Sequence, residues 1–268
     1  MKPRSSRLGP LEMRLLSWAQ LKKKSLIRLT EIAQPLGLTE RQALQLVSRL
    51  SRAGLILRIG RGVYLVPDRL PPGGKWGPDR LWVLDQYMRV NGASYQITGM
   101  EVFNRYGLST QIPNVLTVYN TRVSGRCTLG NAQFEMIKVP AGRIGGTRAV
   151  PMSEGGEVPF PTLSRALLDA VYDWSRFNLF SEALDRIVQE SRRDPKFLRE
   201  LIDAVIRYGN IGTLRRIGCV LETRANISKK RLAPLLDALP KSKSVIALNP
   251  AKPAKGKVNS RWGVIVNG

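Results

Sequence analysis

Four polar side chains, Arg41, Gln45, Ser48 and Arg52, follow one another at intervals of four, three and four residues. At about 100° per residue in an α-helix, this spacing places all four on one face. Arginine and glutamine carry paired hydrogen-bonding groups that match the edges of guanine and adenine in the major groove of DNA. The pattern therefore predicts a helix whose polar face reads base pairs.

The same segment carries the signals that would form such a helix. Thr39 and Gln42 have the spacing of a capping box, in which Thr39 caps free N–H groups and Gln42 reaches back. Gly54 is expected to stop the helix after Ala53. An apolar stripe with helical periodicity lies opposite the polar face and predicts a buried side. It consists of Ala43, Leu46, Val47 and Leu50.

The flanking segments complete the order of a winged helix-turn-helix. Thr30 is expected to cap a short helix through Ile32, Ala33 and Leu36, and Gly37-Leu38 makes the tight turn. An earlier helix carries Leu11, Leu15 and Trp18. Two β-type runs at 55–59 and 63–66 follow, joined by Gly60-Arg61-Gly62. Both of these glycines are free to take positive φ in a hairpin turn.

The predicted DNA contacts lie on the helix and on the hairpin. Arg61, at the hairpin tip, suits a phosphate or the adjacent minor groove. The full set is Arg41, Gln42, Gln45, Ser48, Arg49, Arg52, Arg58 and Arg61. Two alternatives stay open: Gln42 could be used by the cap, and the arginines could form a solvated face of a protein-interaction module.

The charge of the chain favours a polyanionic partner. It has 43 Lys and Arg against 20 Asp and Glu, a net charge of +23 and a pI near 10.8. Residues 1–75 hold 15 basic and 4 acidic residues, so basic density is highest in the predicted winged helix. From residue 241 onward there are six basic residues and no acidic one. That segment is either a solubilising loop or a second nucleic-acid contact.

The sequence lacks the residues that most enzymes need. There is no histidine, which removes the Ser-His-Asp and Cys-His arrangements and most zinc sites. No Walker A loop is present, and the glycine-rich 142–146 lacks the dinucleotide-binding pattern. Glu135 and Lys138, the nearest approach to a nuclease motif, would face opposite sides of a strand. We therefore expect no catalytic residues, no metal and no cofactor.

Composition and the positions of turn-forming residues predict an α+β protein of two domains. A winged helix-turn-helix at 1–69 is followed by a turn-rich linker at 70–78 and a larger mixed α/β domain at 79–268. Its predicted helices lie at 79–90, in a stretch after Asn91-Gly92 that ends near 106–108, from Thr162 onward, and near 178–192, 196–208, 211–223 and 229–238. Its predicted strands lie within 114–140 and at 147–150, 244–248 and 262–266.

The sequence also predicts the compartment. No apolar stretch is long enough for a membrane span, and the basic residues 1–7 are not followed by the apolar region of a secretory signal. Cys127 and Cys219 have no CxxC partner, which is typical of unpaired thiols in a reducing cytoplasm. We expect a cytoplasmic protein with no membrane partner.

Several segments, taken in order, are similar to the AbiEi family, the antitoxin half of bacterial AbiE-type toxin–antitoxin systems. They are 61–67, 95–99, 106–113, 161–170, 214–222 and 259–267. The resemblance implies an amino-terminal winged helix that represses its own operon at inverted repeats. It also implies a carboxy-terminal domain that counteracts a nucleotidyltransferase-like toxin, without requiring direct contact with it. The family supplies no catalytic residue.

Two other functions fit the sequence. A general nucleic-acid-binding protein would show steep salt dependence and little specificity. A DNA-processing enzyme targeted by a winged helix would need a carboxylate cluster, which the sequence does not display.

Overall fold

The computed structural model describes residues 8–70, 76–241 and 244–267, which form two compact units. The amino-terminal unit contains the described residues up to Gly92, together with 127–133 and 151–156. The carboxy-terminal unit contains 93–126, 134–150 and the described residues from Glu157 onward. Residues 1–7, and 71–75 of the predicted linker, lie outside the described residues. The linker at 70–78 stays a prediction.

The amino-terminal unit contains a winged helix-turn-helix, as predicted. Its helices are α1 (Pro10–Leu21), α2 (Ala33–Leu36), α3 (Glu40–Arg52) and α4 (Arg80–Val90), and its strands are β1 (Leu26–Arg28), β2 (Leu57–Gly60) and β3 (Val63–Leu65). The strands form an antiparallel sheet of order β1-β3-β2. Strand β1 was not predicted, because three residues are too few for an alternating pattern to be recognised.

The core of this unit is the apolar side of α3. Leu46 and Leu50 pack in one buried cluster with Leu15 of α1, Ile27 of β1 and Tyr64 of β3. Burial of each large aliphatic side chain contributes about 1.5–3 kcal/mol relative to exposure. The core therefore holds α3 against the wing and leaves its opposite face to solvent.

The segment before the turn differs from the prediction. Thr30 does not cap a helix; it lies inside a 3-10 turn at Leu29–Glu31, and α2 follows. The carboxylate of Glu31 accepts a bond from the Arg28 backbone N–H at 3.3 Å, and this contact organises the turn. The tight turn itself is confirmed, because Gly37 ends α2 in the left-handed conformation with φ +63°.

The remaining strands form three further sheets. They are β4 (Tyr95–Thr98), β5 (Val115–Asn120), β6 (Gly125–Leu129), β7 (Ala132–Lys138), β8 (Thr147–Pro151), β9 (Glu157–Pro161), β10 (Ile246–Ala247), β11 (Lys257–Asn259) and β12 (Val264–Val266). Their orders are β4-β5-β7-β6, β8-β9 and β10-β12-β11. The helical prediction directly after Asn91-Gly92 is wrong at 95–98, where β4 is a strand with all four residues buried. Tyr95-Gln96-Ile97-Thr98 does alternate apolar and polar residues, but the run is short and its place in the sheet depends on antiparallel pairing with β5.

The other predicted helices are confirmed within a few residues. They are α5 (Met100–Arg105), α6 (Leu163–Tyr172), α8 (Phe180–Arg193), α9 (Pro195–Tyr208), α10 (Ile211–Thr223) and α11 (Lys229–Asp237). The short helix α7 (Trp174–Phe177) was not predicted. Thr162 caps α6 as expected, accepting a bond from the Arg165 N–H. Helices α8, α9 and α10 pack around α6. None of the described helices combines the length and apolar character needed to cross a membrane.

A cluster of buried charges lies beside α6. Asp169 is fully buried, and its Oδ1 accepts from Arg143 at 2.7 Å and from Arg165 at 3.0 Å. Arg165, also fully buried, donates to the carbonyls of Gly145 at 2.5 Å and Arg143 at 2.8 Å. Its guanidinium lies over the Tyr208 ring. A buried charge is costly without partners, so Asp169 and the two arginines depend on one another to remain charged inside this unit.

Buried Tyr119 makes the stability of this unit sensitive to alkaline pH. Desolvation, with the nearby carboxylates of Asp169 and Asp173, raises the pKa of Tyr119 well above its ordinary value near 10. Its hydroxyl donates to Asp173. Above pH 10 the unfolded tyrosine loses its proton while the folded one keeps it, so the free energy of unfolding falls as pH rises.

We expect Tyr119→Phe to remove that contribution to the pH dependence. The loss of stability above pH 10 should become shallower by up to about 1.4 kcal/mol per pH unit, the value for one proton. Urea titrations of both proteins between pH 8 and 11, followed by far-ultraviolet circular dichroism, measure it. An unchanged slope in the variant would show that Tyr119 is not the responsible group.

The carboxy-terminal segment is held on α10. Arg215 donates to the carbonyl of Ser244 at 3.0 Å, and Arg216 donates to that of Ala247 at 3.1 Å. Burial lowers the pKa of Arg216. The Trp262 ring lies on Gly218, where an added Cβ would come within 2.2 Å of it. The arginine pair therefore anchors this segment and is not a surface basic cluster.

Candidate nucleic-acid interface

Helix α3 begins with the capping box that the sequence predicts. Thr39 has extended backbone angles, and its Oγ1 accepts from the Gln42 N–H at 3.3 Å. In return, the Gln42 Oε1 accepts from the Thr39 N–H at 2.9 Å. Gln42 is thus engaged within the protein, so of the eight predicted contacts it has the least freedom to reach a ligand.

The cap makes a stability prediction. Thr39→Ala should lower the free energy of unfolding of the amino-terminal unit by about 1 kcal/mol, because the first N–H groups of α3 lose their acceptor. Thr30→Ala is the matched control, since Thr30 is also exposed but caps no helix. Denaturant titrations of both variants measure the difference. Equal stability of the two would rule out the capping role.

The faces of α3 are arranged as the periodicity predicts. Ala43, Leu46, Val47 and Leu50 are buried. On the opposite side Arg41, Gln45 and Arg52 are exposed and Ser48 is partly exposed. These four side chains therefore lie along one accessible face of a helix that is fixed by its core.

The polar residues of α3 differ in how firmly they are held. Within the described part of the chain, Arg41 and Gln45 make no side-chain hydrogen bond or ion pair. Arg52 donates from Nε to the Ser48 carbonyl at 3.3 Å, one turn earlier. Arg49 forms a 3.1 Å ion pair with Glu12 of α1, yet 54% of its side chain is exposed. Arg41 and Gln45 are thus the two long side chains of this face that make no such bond within the described residues.

The wing is a tight hairpin between β2 and β3. Arg61 and Gly62 form its turn, and Gly62 has φ +67° while Gly60 does not take positive φ. The expectation for Gly60 is therefore wrong: it ends β2 at a register irregularity with β3. Arg58 donates from Nε to the Gly60 carbonyl at 3.1 Å, whereas Arg61 is exposed at the tip.

The structure adds one residue that the sequence argument missed. Leu44 lies on α3 outside the apolar stripe and is 49% exposed. An apolar side chain beside Arg41 suits contact with the methyl group of thymine. Its signal was available in the sequence, since Leu44 is out of phase with the four buried residues.

No group of three or more acidic, cysteine or histidine side chains in the described ranges is placed to hold a metal ion. Glu135, considered above for a nuclease, forms a 3.1 Å ion pair with Arg176. Cys127 and Cys219 are both free. The chemistry that the amino-terminal face offers is therefore hydrogen bonding and positive charge.

Comparison with known proteins supports the amino-terminal assignment. Residues 13–67 match the family model described as a transcriptional regulator, AbiEi antitoxin, which confirms the resemblance over that segment. No curated protein matches the chain. The crystal structure of the RV2827C protein from Mycobacterium tuberculosis is similar in fold, with a TM-score of 0.58 at 12% identity. The alignment covers 97% of this chain and 92% of that one.

Proposed function

We propose that this chain is a DNA-binding autorepressor and the antitoxin of a bacterial toxin–antitoxin system. The family match over 13–67 indicates a transcriptional regulator of the AbiEi antitoxin type. The observation that carries the DNA-binding part is the pair Arg41 and Gln45. Both are exposed on α3, which is capped at its start and fixed by its buried apolar side. The hairpin that follows α3 carries further arginines. We propose no enzymatic activity and no cofactor.

In this proposal α3 enters the major groove of duplex DNA. Arg41 would bind guanine and Gln45 adenine, each through two hydrogen bonds. Ser48 and Arg52 would extend the contact along the same face. Arg49, Arg58 and Arg61 would contact phosphates, with Arg61 also able to reach the adjacent minor groove. Gln42 would act indirectly, by positioning the start of α3.

A fluorescence-anisotropy titration tests the proposal. The full chain is titrated onto DNA from upstream of its own gene and onto a scrambled duplex, at two salt concentrations. We expect specific binding to be tighter by about 10³ or more. Because the expected operator is an inverted repeat, two chains should bind each site, one per half-site.

Each other outcome favours one of the remaining functions. A ratio near one, with binding lost as salt rises, would indicate a general nucleic-acid-binding protein. Cleavage of either duplex on addition of Mg²⁺ would indicate a DNA-processing enzyme. Either result would overturn the repressor proposal.

The antitoxin part is tested separately in cells. The proposed toxin is a nucleotidyltransferase-like neighbour in the same operon, counteracted in the cytoplasm without a membrane partner. We expect the full chain to rescue growth when the chain and the toxin are expressed from independent promoters. A variant with Arg41, Gln45 and Arg61 replaced by alanine should still rescue but no longer repress. Failure of the unaltered chain to rescue would reject the antitoxin role.

A further inference from the structure

The carboxy-terminal unit contains an open groove of ≈ 770 Å³ that the DNA-binding proposal does not use. The end of α10, the start of α11 and strand β11 line it. Val258 and Val266 lie in its wall and are 50% and 39% exposed. Exposed aliphatic side chains beside a concave surface are a common feature of binding sites for other molecules.

One wall of the groove is the edge of a sheet. In the described part of the chain, β11 is the outer strand of the order β10-β12-β11 and pairs only with β12. A sheet edge offers backbone groups to an extended peptide, which can add as a further strand. The groove thus borders a site for backbone pairing, with Val266 on the same side of the sheet as Lys257 and Val258 on the opposite side.

The charge of the groove selects among peptides. Lys229 and Lys257 line it and have no ion pair within the described residues. The carboxylate of Glu222, the one acidic group among the described lining residues, already accepts bonds from Arg261 at 2.6 Å and from the indole Nε1–H of Trp262 at 2.6 Å. The surrounding sequence from 241 onward has no acidic residue. The groove therefore complements a negatively charged ligand.

We propose that an acidic, extended segment of a partner protein adds to β11 in this groove. In the register with β12, Lys257 lies opposite Val266 and Val258 lies opposite Ile265, so Lys257 and Val258 face opposite sides of the sheet. The carboxylates of the added strand would pair with Lys229 and Lys257 on one side, and its apolar side chains would lie beside Val258 on the other. A nucleic acid fits less well, because the described lining offers no aromatic ring for stacking a base. The Trp262 ring beside it is buried. This inference is independent of DNA binding by α3.

The test uses the full chain and a fluorescein-labelled decapeptide of alternating glutamate and valine. We expect micromolar binding by anisotropy, weakened by salt. A lysine–valine peptide should bind at least tenfold more weakly. The glutamate–valine peptide with alternate backbone nitrogens methylated, which keeps the charge but blocks strand pairing, should also bind at least tenfold more weakly.

Variants locate the binding site. The double variant Lys229→Glu, Lys257→Glu should bind the glutamate–valine peptide at least tenfold more weakly. The control is Lys22→Glu, Lys23→Glu, an equal charge change on exposed residues of the other unit. Its Kd for the peptide should stay within twofold of that of the unaltered chain. Lys229→Gln with Lys257→Gln replaces the first pair if that pair does not fold by circular dichroism.

Three results would overturn the inference. The groove variant could bind the peptide like the unaltered chain, or the methylated peptide could bind as well as the parent. Third, a single-stranded RNA of mixed sequence could depend on Lys229 and Lys257 while the peptide does not, which would identify the groove as a nucleic-acid site.

Discussion

Asp169→Asn is expected to lower the free energy of unfolding of the carboxy-terminal unit by about 3–5 kcal/mol. The substitution keeps the shape of the side chain and removes the one charge that faces both Arg143 and Arg165. Two buried guanidinium groups would then lie side by side without a counter-ion. Denaturant titration followed by far-ultraviolet circular dichroism measures the change.

A surface ion pair provides the matched control. Asp185 pairs with Arg224 at 2.5 Å, but 65% of its side chain is exposed. Asp185→Asn should therefore change the free energy of unfolding by less than about 1 kcal/mol. If Asp169→Asn lowers the free energy of unfolding as little as Asp185→Asn does, the buried cluster is not an essential part of the fold.

On operator DNA, Arg41→Ala and Gln45→Ala are each expected to raise the Kd by about 5–150-fold, equivalent to about 1–3 kcal/mol. Each should also relax specificity at one base pair, because the lost hydrogen bonds are those proposed to distinguish bases. Arg61→Ala should instead weaken binding to all duplexes to a similar degree, since a phosphate contact carries no sequence information. Anisotropy titrations with single base-pair changes separate the two effects.

Arg199→Ala is the control for these DNA variants. Arg199 is an exposed arginine of α9 in the carboxy-terminal unit, so its loss changes the net charge without altering the winged helix. It should bind the operator like the unaltered chain. If Arg41→Ala, Gln45→Ala and Arg61→Ala all did the same, the assignment of α3 and the wing to DNA would be wrong.

The amino-terminal unit shows which kinds of structure a single sequence predicts well. The cap at Thr39, the end of α3 near Ala53 and the burial of its apolar stripe all agree with the structure. Each depends on residues within a few turns of one another, so the cause is present in the local sequence. The same holds for the left-handed Gly37.

The missed strands have a different cause. Strand β1 has three residues, β4 is buried on both sides and β9 contains Pro159 and Pro161. Strands β1 and β9 are too short or too rich in proline for alternation to be recognised, and the alternating residues of β4 are buried on both sides. Strand β11 lies at the end of a stretch of lysine, proline and alanine that indicates a loop, and it is a strand because β12 pairs with it. Strands β1 and β4 pair with β3 and β5, which are distant from them in the chain.

The sequence by itself determined the winged helix, the polar face of α3 and the positive charge, because caps, periodicity and composition act locally or sum over the chain. Only the tertiary structure decided which polar side chains are available. It pairs Arg49 with Glu12, buries Arg165 and Arg215, and leaves Arg41 exposed. The physical reason is that an arginine's burial and partners depend on elements brought together by folding, and the identity of the residue does not encode them.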